Sequence, residues 1–313
     1  MGEIKIKKSY LKEIIKLGRL RFLVGGFFLY SMGFLLASYS INELSISLFF
    51  VGYAIMLPAH LGLSYSNNYF DVNVDRYNKP NLFSGGSKVL IEKPELQKLC
   101  LWISIILMIL SIIFALIFIV FYSFSIFLLL FVVFGNLLGW FYSAPPLRLA
   151  YNGLGEIANM ITMGIIMPGI GYWIVKGSFD FLFYIFAIIF LLYGLHFIIS
   201  VEMPDMEGDL RGKKYTLVAR IGREKSYKLL LFSIISASIL LIIFSAFYSL
   251  IKSVNLTFIF FMSLIPLIVA LSGWFKKPFN NKKAVNISKN NIFALILFIL
   301  TINIYLLFSF VIS

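Results

Sequence analysis

Nine apolar runs, each about as long as a bilayer core is thick, constrain this chain more than any other feature. They cover roughly residues 20–40, 46–66, 99–121, 124–142, 154–175, 179–201, 228–250, 255–275 and 291–312. A helix of about 20 residues crosses a hydrocarbon core of ~30 Å. Within lipid the backbone must satisfy its own hydrogen bonds, so each run predicts a transmembrane helix. Pro168 and Pro266 fall inside runs and predict kinks, not breaks. The chain is 60% apolar and 13% charged, against roughly 45–50% apolar for a soluble domain. The expectation is an all-α polytopic membrane protein of nine spans, folded as a single domain over 1–313.

Placing the charges predicts the orientation. With the N-terminus cytoplasmic, the inner segments are 1–21, 67–98, 142–152, 203–228 and 276–289. Their Lys/Arg counts are 7, 5, 1, 7 and 5, or 25 of 27, leaving Lys176 and Lys252 outside. This is the positive-inside pattern of an odd number of spans. The net charge of +13 is thereby explained as juxtamembrane anchoring, and nucleic acid is excluded as a partner. The N-terminal stretch 1–18 is amphipathic: Leu11, Ile14 and Ile15 oppose Lys5, Lys8, Lys12 and Lys16, so it should lie along the membrane surface. Seven Lys/Arg before a run this long do not make a cleavable signal. The single cysteine, Cys100, permits no disulfide within the chain.

Two acidic segments continue the ends of spans. In the first, Asn67, Asp71 and Asp75 are spaced i, i+4, i+8. In the second, Glu202, Asp205 and Asp209 are spaced i, i+3, i+7. Each set falls on one helical face. With Glu207, the two segments hold six of the chain's 14 Asp/Glu. Carboxylates stacked on one face at a helix C-terminal end repel one another and oppose the dipole, so a cation should offset them. Hard oxygen ligands suit Mg²⁺, which uses one or two carboxylates plus substrate phosphates. Span two and span six lie four helices apart, so the matched ends also suggest an internal duplication. Solvated loop faces would explain one such end but hardly two.

These segments resemble the NDxxDxxxD and DxxxD signatures of the UbiA superfamily of intramembrane prenyltransferases. Tyr142 to Leu149, followed by Gly153-Leu154-Gly155-Glu156, resembles that family's loop after the fourth span, and Thr216, Leu217 and Gly222 fall where its post-motif Thr and Gly do. The resemblance implies helices around a central cavity under a cytoplasmic cap, here the loops 67–98 and 203–228. It also implies Mg²⁺ bridging both motifs to a prenyl diphosphate. Carried over, Asp71, Asp75, Asp205 and Asp209 are the catalytic carboxylates. Together with Asn67 and Glu202 they form the metal-ligand set. Asn67 and Asn68 fall to substrate binding.

The sequence departs from the family at Asn68, where Asp is common, and at Glu202, where Asn or Asp is usual. The Asn-Arg-Pro of many members is here Asn81-Leu82-Phe83, so Lys88, after Ser84-Gly85-Gly86-Ser87, is expected to supply the missing charge. Arg148 and Arg21 are the further diphosphate candidates. His60 and His196 lie within spans; a hydrogen-bonded buried histidine is the ordinary reading of each, and a role toward the acceptor the sharper one. The expected function is Mg²⁺-dependent transfer of a polyprenyl group to a small acceptor of aromatic or quinone-precursor type. The alternatives are a glycerol ether lipid or carotenoid acceptor and, in another class, a membrane transporter. Acids clustered at one face instead of along a path through the bilayer argue against transport. The Gly-Leu-Gly-Glu and Ser-Gly-Gly stretches lean toward quinone-type and carotenoid-type members.

Overall fold

The structure is a computed structural model that describes residues 10–248, 254–277 and 280–312. Of the amphipathic N-terminal stretch, residues before Tyr10 lie outside the described part, as does Lys252. No strand occurs among the described residues. The helices are α1 (Leu11–Leu17), α2 (Arg21–Ile41), α3 (Ile46–Phe70), α4 (Val72–Asp75), α5 (Val89–Glu92), α6 (Gln97–Tyr122), α7 (Phe127–Ser143) and α8 (Gly155–Ile161). After a π-helical turn (Thr162–Ile166) follow α9 (Met167–Lys176), α10 (Phe181–Glu202), α11 (Met206–Arg211), α12 (Leu217–Tyr248), α13 (Leu256–Phe275) and α14 (Asn281–Ile312).

Eight of these stretches are long and apolar enough to cross a membrane, with α8 to α9 counted as one. The expected span 124–142 corresponds to α7, which has only 17 residues. At 1.5 Å per residue it reaches roughly 25 Å, the short end of what crosses a bilayer core. Large apolar side chains stand exposed along the outward faces, as at Phe121, Val120 and Phe232. In water such a surface would be untenable; in lipid it has no cost.

Sequence sets the helix ends. Ser45, Asp180 and Asn255 cap α3, α10 and α13, each accepting from a backbone N–H three residues on. Both prolines stand inside helical spans, as expected. Pro266 sits inside α13. Pro168 follows the π-turn within the continuous span from α8 to α9, where the widened turn accommodates its missing N–H. The stretch 203–228 is less a loop than expected. It holds α11 and the start of α12, which is broken at Gly222 (φ 80°, ψ 161°).

With little hydrophobic drive between helices in lipid, close backbone approach and interhelical hydrogen bonds hold the bundle. A Cβ on Gly33 of α2 would come within 1.9 Å of the Pro168 carbonyl oxygen, so α2 and α9 touch backbone to backbone. Ser104 donates across to Gly62 O at 2.7 Å, tying α6 to α3. Asn303 donates to Phe28 O, tying α14 to α2. Tyr227 donates to Ala270 O, tying α12 to α13. At the polar end α1 lies against α3, held by Tyr65 Oη donating to Ile14 O and Asn68 Nδ2 to Leu17 O.

Candidate active site

The two acidic motifs are built alike. α3 ends at Phe70, Asp71 forms the junction (φ −90°, ψ 2°), and α4 carries Asp75. α10 ends at Glu202, Asp205 forms the junction before α11 (φ −92°, ψ −3°), and α11 carries Asp209. In each, the second Asp donates its backbone N–H to the first Asp's carbonyl at 2.8 Å. The helical path thus continues through the junction, and the spacing read from sequence survives as one face.

Asn67, Asp71, Asp75, Glu202, Asp205 and Asp209 all line a single cavity of about 210 Å³. One water needs roughly 10–15 Å³ by the same kind of measure, so the space is of ligand size. Its far wall is apolar, with Leu29 of α2, Met163 of the π-turn, Met167 of α9 and Ile299 of α14. Polar groups crowd one end and hydrocarbon the other.

The acids are held by neighbours from several elements. Asp71 accepts from Tyr151 Oη at 2.9 Å and from Lys214 Nζ at 2.7 Å. Asp209 accepts from Asn78 Nδ2 at 2.9 Å. Asp205 accepts from the Gly85 N–H at 2.8 Å, while its Oδ1 is buried without a partner. Lys88 Nζ donates to the Asp75 carbonyl. Gly86 packs so closely on Asp75 that a Cβ would meet Oδ2 at 2.0 Å. The Ser84–Lys88 loop therefore clasps both motifs at once.

Burial and mutual repulsion set the protonation. Burial first, then Asp71, push Asp75 up to about 6, against Arg19, Lys214 and Lys88. Asp205 rises to about 7 through burial and Asp209, with the Gly85 N–H opposing. Burial lifts Asp209 to about 6 despite Lys214 and Asn78. Burial would lower Lys214, but Asp71 and Asp209 hold it well above the ordinary lysine value. Asp75 acts on Asp205, and Asp71 on Asp209, so the motifs feel each other across the cavity.

Buried oxygens without partners are what a cation would satisfy, and this end of the cavity has Asn67 Oδ1 and Asp205 Oδ1, with the Glu202 carboxyl facing that of Glu156 beside them. Among the described residues no three Asp, Glu, His or Cys side chains are close enough to enclose an ion by themselves. Buried carboxylate and amide oxygens are the hard donors that Mg²⁺ takes, with water and phosphate completing its shell.

The other candidates divide. Arg21 and His60 line the cavity, and His60 Nδ1 is buried without a partner. Asn68 does not line it. One residue on from Asn67 it is rotated about 100° round the helix, and it bonds to Leu17 O, Ser64 O and Ser87. Arg148 is exposed, at φ 42°, with its guanidinium 5.2 Å over the Tyr151 ring, and reaches the acids only through that tyrosine. Lys88 lies behind Asp75, outside the main cavity. His196 is fully buried away from the cavity. Glu207 does not line it either; it pairs with Arg223.

Sequence reasoning passed over Lys214, Arg19, Asn78 and Tyr151. Lys214 and Arg19 were absorbed into the count of anchoring charges. The only signal for Lys214 was its place five residues past Asp209, beside Thr216.

Residues 26–297 match the UbiA prenyltransferase family. The chain belongs to this family. It is accordingly an integral membrane protein with the family's prenyltransferase fold. Over 105 residues it is 30% identical to 2-carboxy-1,4-naphthoquinone phytyltransferase from Synechocystis sp., covering 32% of each chain, so that match spans about a third of the relative. Among solved structures, a digeranylgeranylglyceryl phosphate synthase superposes with a TM-score of 0.63 at 20% identity, over 95% of this chain and 98% of the other. A UbiA homolog from Archaeoglobus fulgidus bound to GPP and Mg²⁺ superposes with a TM-score of 0.64 at 17% identity, over 92% of this chain and 99% of that one.

Proposed function

We propose that this UbiA family member transfers a prenyl group from a prenyl diphosphate to a small acceptor of aromatic or quinone-precursor type. The observation that carries the reading is the convergence of both Asp motifs on the polar end of a cavity whose other end is hydrocarbon. A prenyl diphosphate has the same polarity, and the homolog from Archaeoglobus fulgidus was solved with GPP and Mg²⁺. Asp71, Asp75, Asp205 and Asp209, with Asn67 and Glu202, would hold Mg²⁺ here. When bound, the ion supplies Lewis-acid stabilisation of the negative charge that develops on the leaving diphosphate.

The chain's own groups do the rest. Lys214 and Arg21 face the cavity and add fixed positive charge where the diphosphate would sit. Tyr151 and Lys214 aim the Asp71 carboxylate, and Gly85 aims that of Asp205. As the allylic C–O bond breaks, its electron pair leaves with the diphosphate oxygen. The acceptor's electron pair then forms the new bond to carbon, and the proton the acceptor loses passes to the released diphosphate.

The naphthoquinone phytyltransferase match favours a quinone-precursor acceptor. The basic residues of 67–98 and 203–228 favour a cytoplasmic site and N-terminus. Purified protein incubated with labelled geranylgeranyl diphosphate, Mg²⁺ and a panel of naphthoate, hydroxybenzoate and glycerol-phosphate ether acceptors tests the reading. Prenylated aromatic product is expected; product only with the glycerol ether overturns the acceptor class. Asp71→Ala and Asp205→Ala should each abolish turnover in a folded protein, and full activity in either would remove the ligand assignment.

A further inference from the structure

Beside the main cavity lies a second one of about 430 Å³, between α1 and the loop that follows α4. Lys16, Arg19, Arg21 and Lys88 line it, with Glu92 as the only acid. Among the described residues none of these four cations is within ion-pair distance of a carboxylate, though Lys88 donates to the Asp75 carbonyl. The Nε atoms of Arg19 and Arg21 are buried without a hydrogen-bond partner. Both guanidinium groups lie against one ring, 5.4 and 5.9 Å from the Phe22 centroid. Arg19 and Lys88 take left-handed backbone conformations, φ 47° and 64°, which L-residues seldom adopt. Arg19, Arg21 and Gly86 line both cavities, so the two share a wall.

Asp75, across the shared wall, offsets part of the charge of Arg19 and Lys88, but with Lys16 and Arg21 added the recess keeps a positive excess that an anion would neutralise. The two cavities have opposite character. The main one is ringed by carboxylates and accepts a polyanion only with divalent cations present. The second one is basic and needs none.

We propose that the second cavity is a metal-independent binding site for a phosphoryl anion, occupied by the diphosphate released from the main cavity past the Arg19–Arg21–Gly86 wall. The exit role rests on the prenyl-transfer reading above; the anion site does not. Lys16 and Lys88 receive the diphosphate on the α1 side, and Glu92 at the rim discourages its lingering. The phosphate of an anionic lipid headgroup has the same chemistry and would reach the site from the membrane surface along exposed Ile15 and Leu20.

The test is titration calorimetry of the full chain in phosphatidylcholine nanodiscs, in EDTA, with inorganic diphosphate. Binding is expected without metal and should weaken with salt. The double variant Lys16→Gln/Lys88→Gln should raise Kd by roughly tenfold or more, having lost two charge-assisted contacts. Glu92→Gln should tighten binding, a gain that misfolding cannot mimic. Asp205→Asn should lose Mg²⁺-dependent turnover yet keep this binding. No binding in EDTA, indifference to Lys16→Gln/Lys88→Gln, or loss of binding in Asp205→Asn would overturn the site. Dihexanoyl phosphatidylglycerol below its micelle concentration is the second ligand. Tighter binding of diphosphate supports the exit role, and tighter binding of the lipid overturns it. Turnover with Mg²⁺ is measured separately, so a failed anion site and a failed prenyl-transfer reading give different results.

Discussion

The Lys214 ammonium lies 2.7 Å from Asp71 Oδ2, and 5.9 and 5.5 Å from the ring centroids of Tyr142 and Tyr151. It is ion-paired directly with an acid of the motif, and its side chain is only 13% exposed. At so dry a position one charge acts strongly on its neighbours. Lys214→Met should lower kcat/KM on the order of 10²–10³-fold, the usual cost of removing one preorganised charge from a developing anion. Lys214→Arg should recover part of that loss, and steady-state kinetics would measure both. The raised carboxylates make a second prediction. Burial, with neighbouring carboxylates, pushes Asp205 up to about 7 and Asp75 and Asp209 up to about 6, so protons compete with Mg²⁺ below neutrality. Apparent Mg²⁺ affinity should fall as pH drops from 8 to 5.5, read as the Mg²⁺ dependence of turnover at each pH. Stability has the opposite sign. Between the unfolded carboxylate value near 4 and these raised values, the folded protein binds more protons than the unfolded one. The metal-free protein therefore loses stability as pH rises through about 6 to 7. Thermal unfolding in EDTA should give a higher Tm at pH 5.5 than at pH 8, and Mg²⁺ should narrow the gap.

At the scale of elements, the site depends on a junction and a clasp. Each junction places an Asp between a long helix and a short one, with nearly the same φ and ψ at Asp71 and Asp205. A duplication of the kind the matched span ends suggest would leave such a likeness. The clasp is the Ser84–Lys88 loop, where Gly85 and Gly86 stand at φ 77° and 68°. Gly86→Ala would set a Cβ 2.0 Å from Asp75 Oδ2 at a backbone angle that disfavours L side chains. Turnover should fall by about tenfold or more through misplacement of the Asp75 carboxylate, with far-UV circular dichroism unchanged because the spans do not depend on this loop. The glycine-rich character of the loop was visible in the sequence. Which acids it would touch was not, since Gly85 and Asp205 are 120 residues apart.

At the scale of the molecule, α2, α3, α7, α8 to α10 and α14 line one cavity that is polar at one end, and among the described residues α6, α12 and α13 contribute no lining residue. The orientation predicted from Lys/Arg placement is tested by cysteine labelling, for which the native Cys100 is a silent background: it is 1% exposed and its Sγ donates to Tyr65 O. In intact cells an impermeant maleimide should label Ser178→Cys, between α9 and α10, and should reach Lys213→Cys only after permeabilisation; the reverse pattern would invert the topology. The sequence by itself determined the solvent of this protein, the helical class and the acidic faces. Hydropathy over 20 residues and i, i+4 spacing are local properties that tertiary contact does not change. Only the tertiary structure decided which charges belong to the site. It brought in Lys214, Arg19, Asn78 and Tyr151, turned Asn68 into a strut for α1, and left Arg148 outside behind Tyr151. A lysine that anchors a helix and one that faces a carboxylate cluster read alike in one dimension, because the difference lies in which distant helix end they meet.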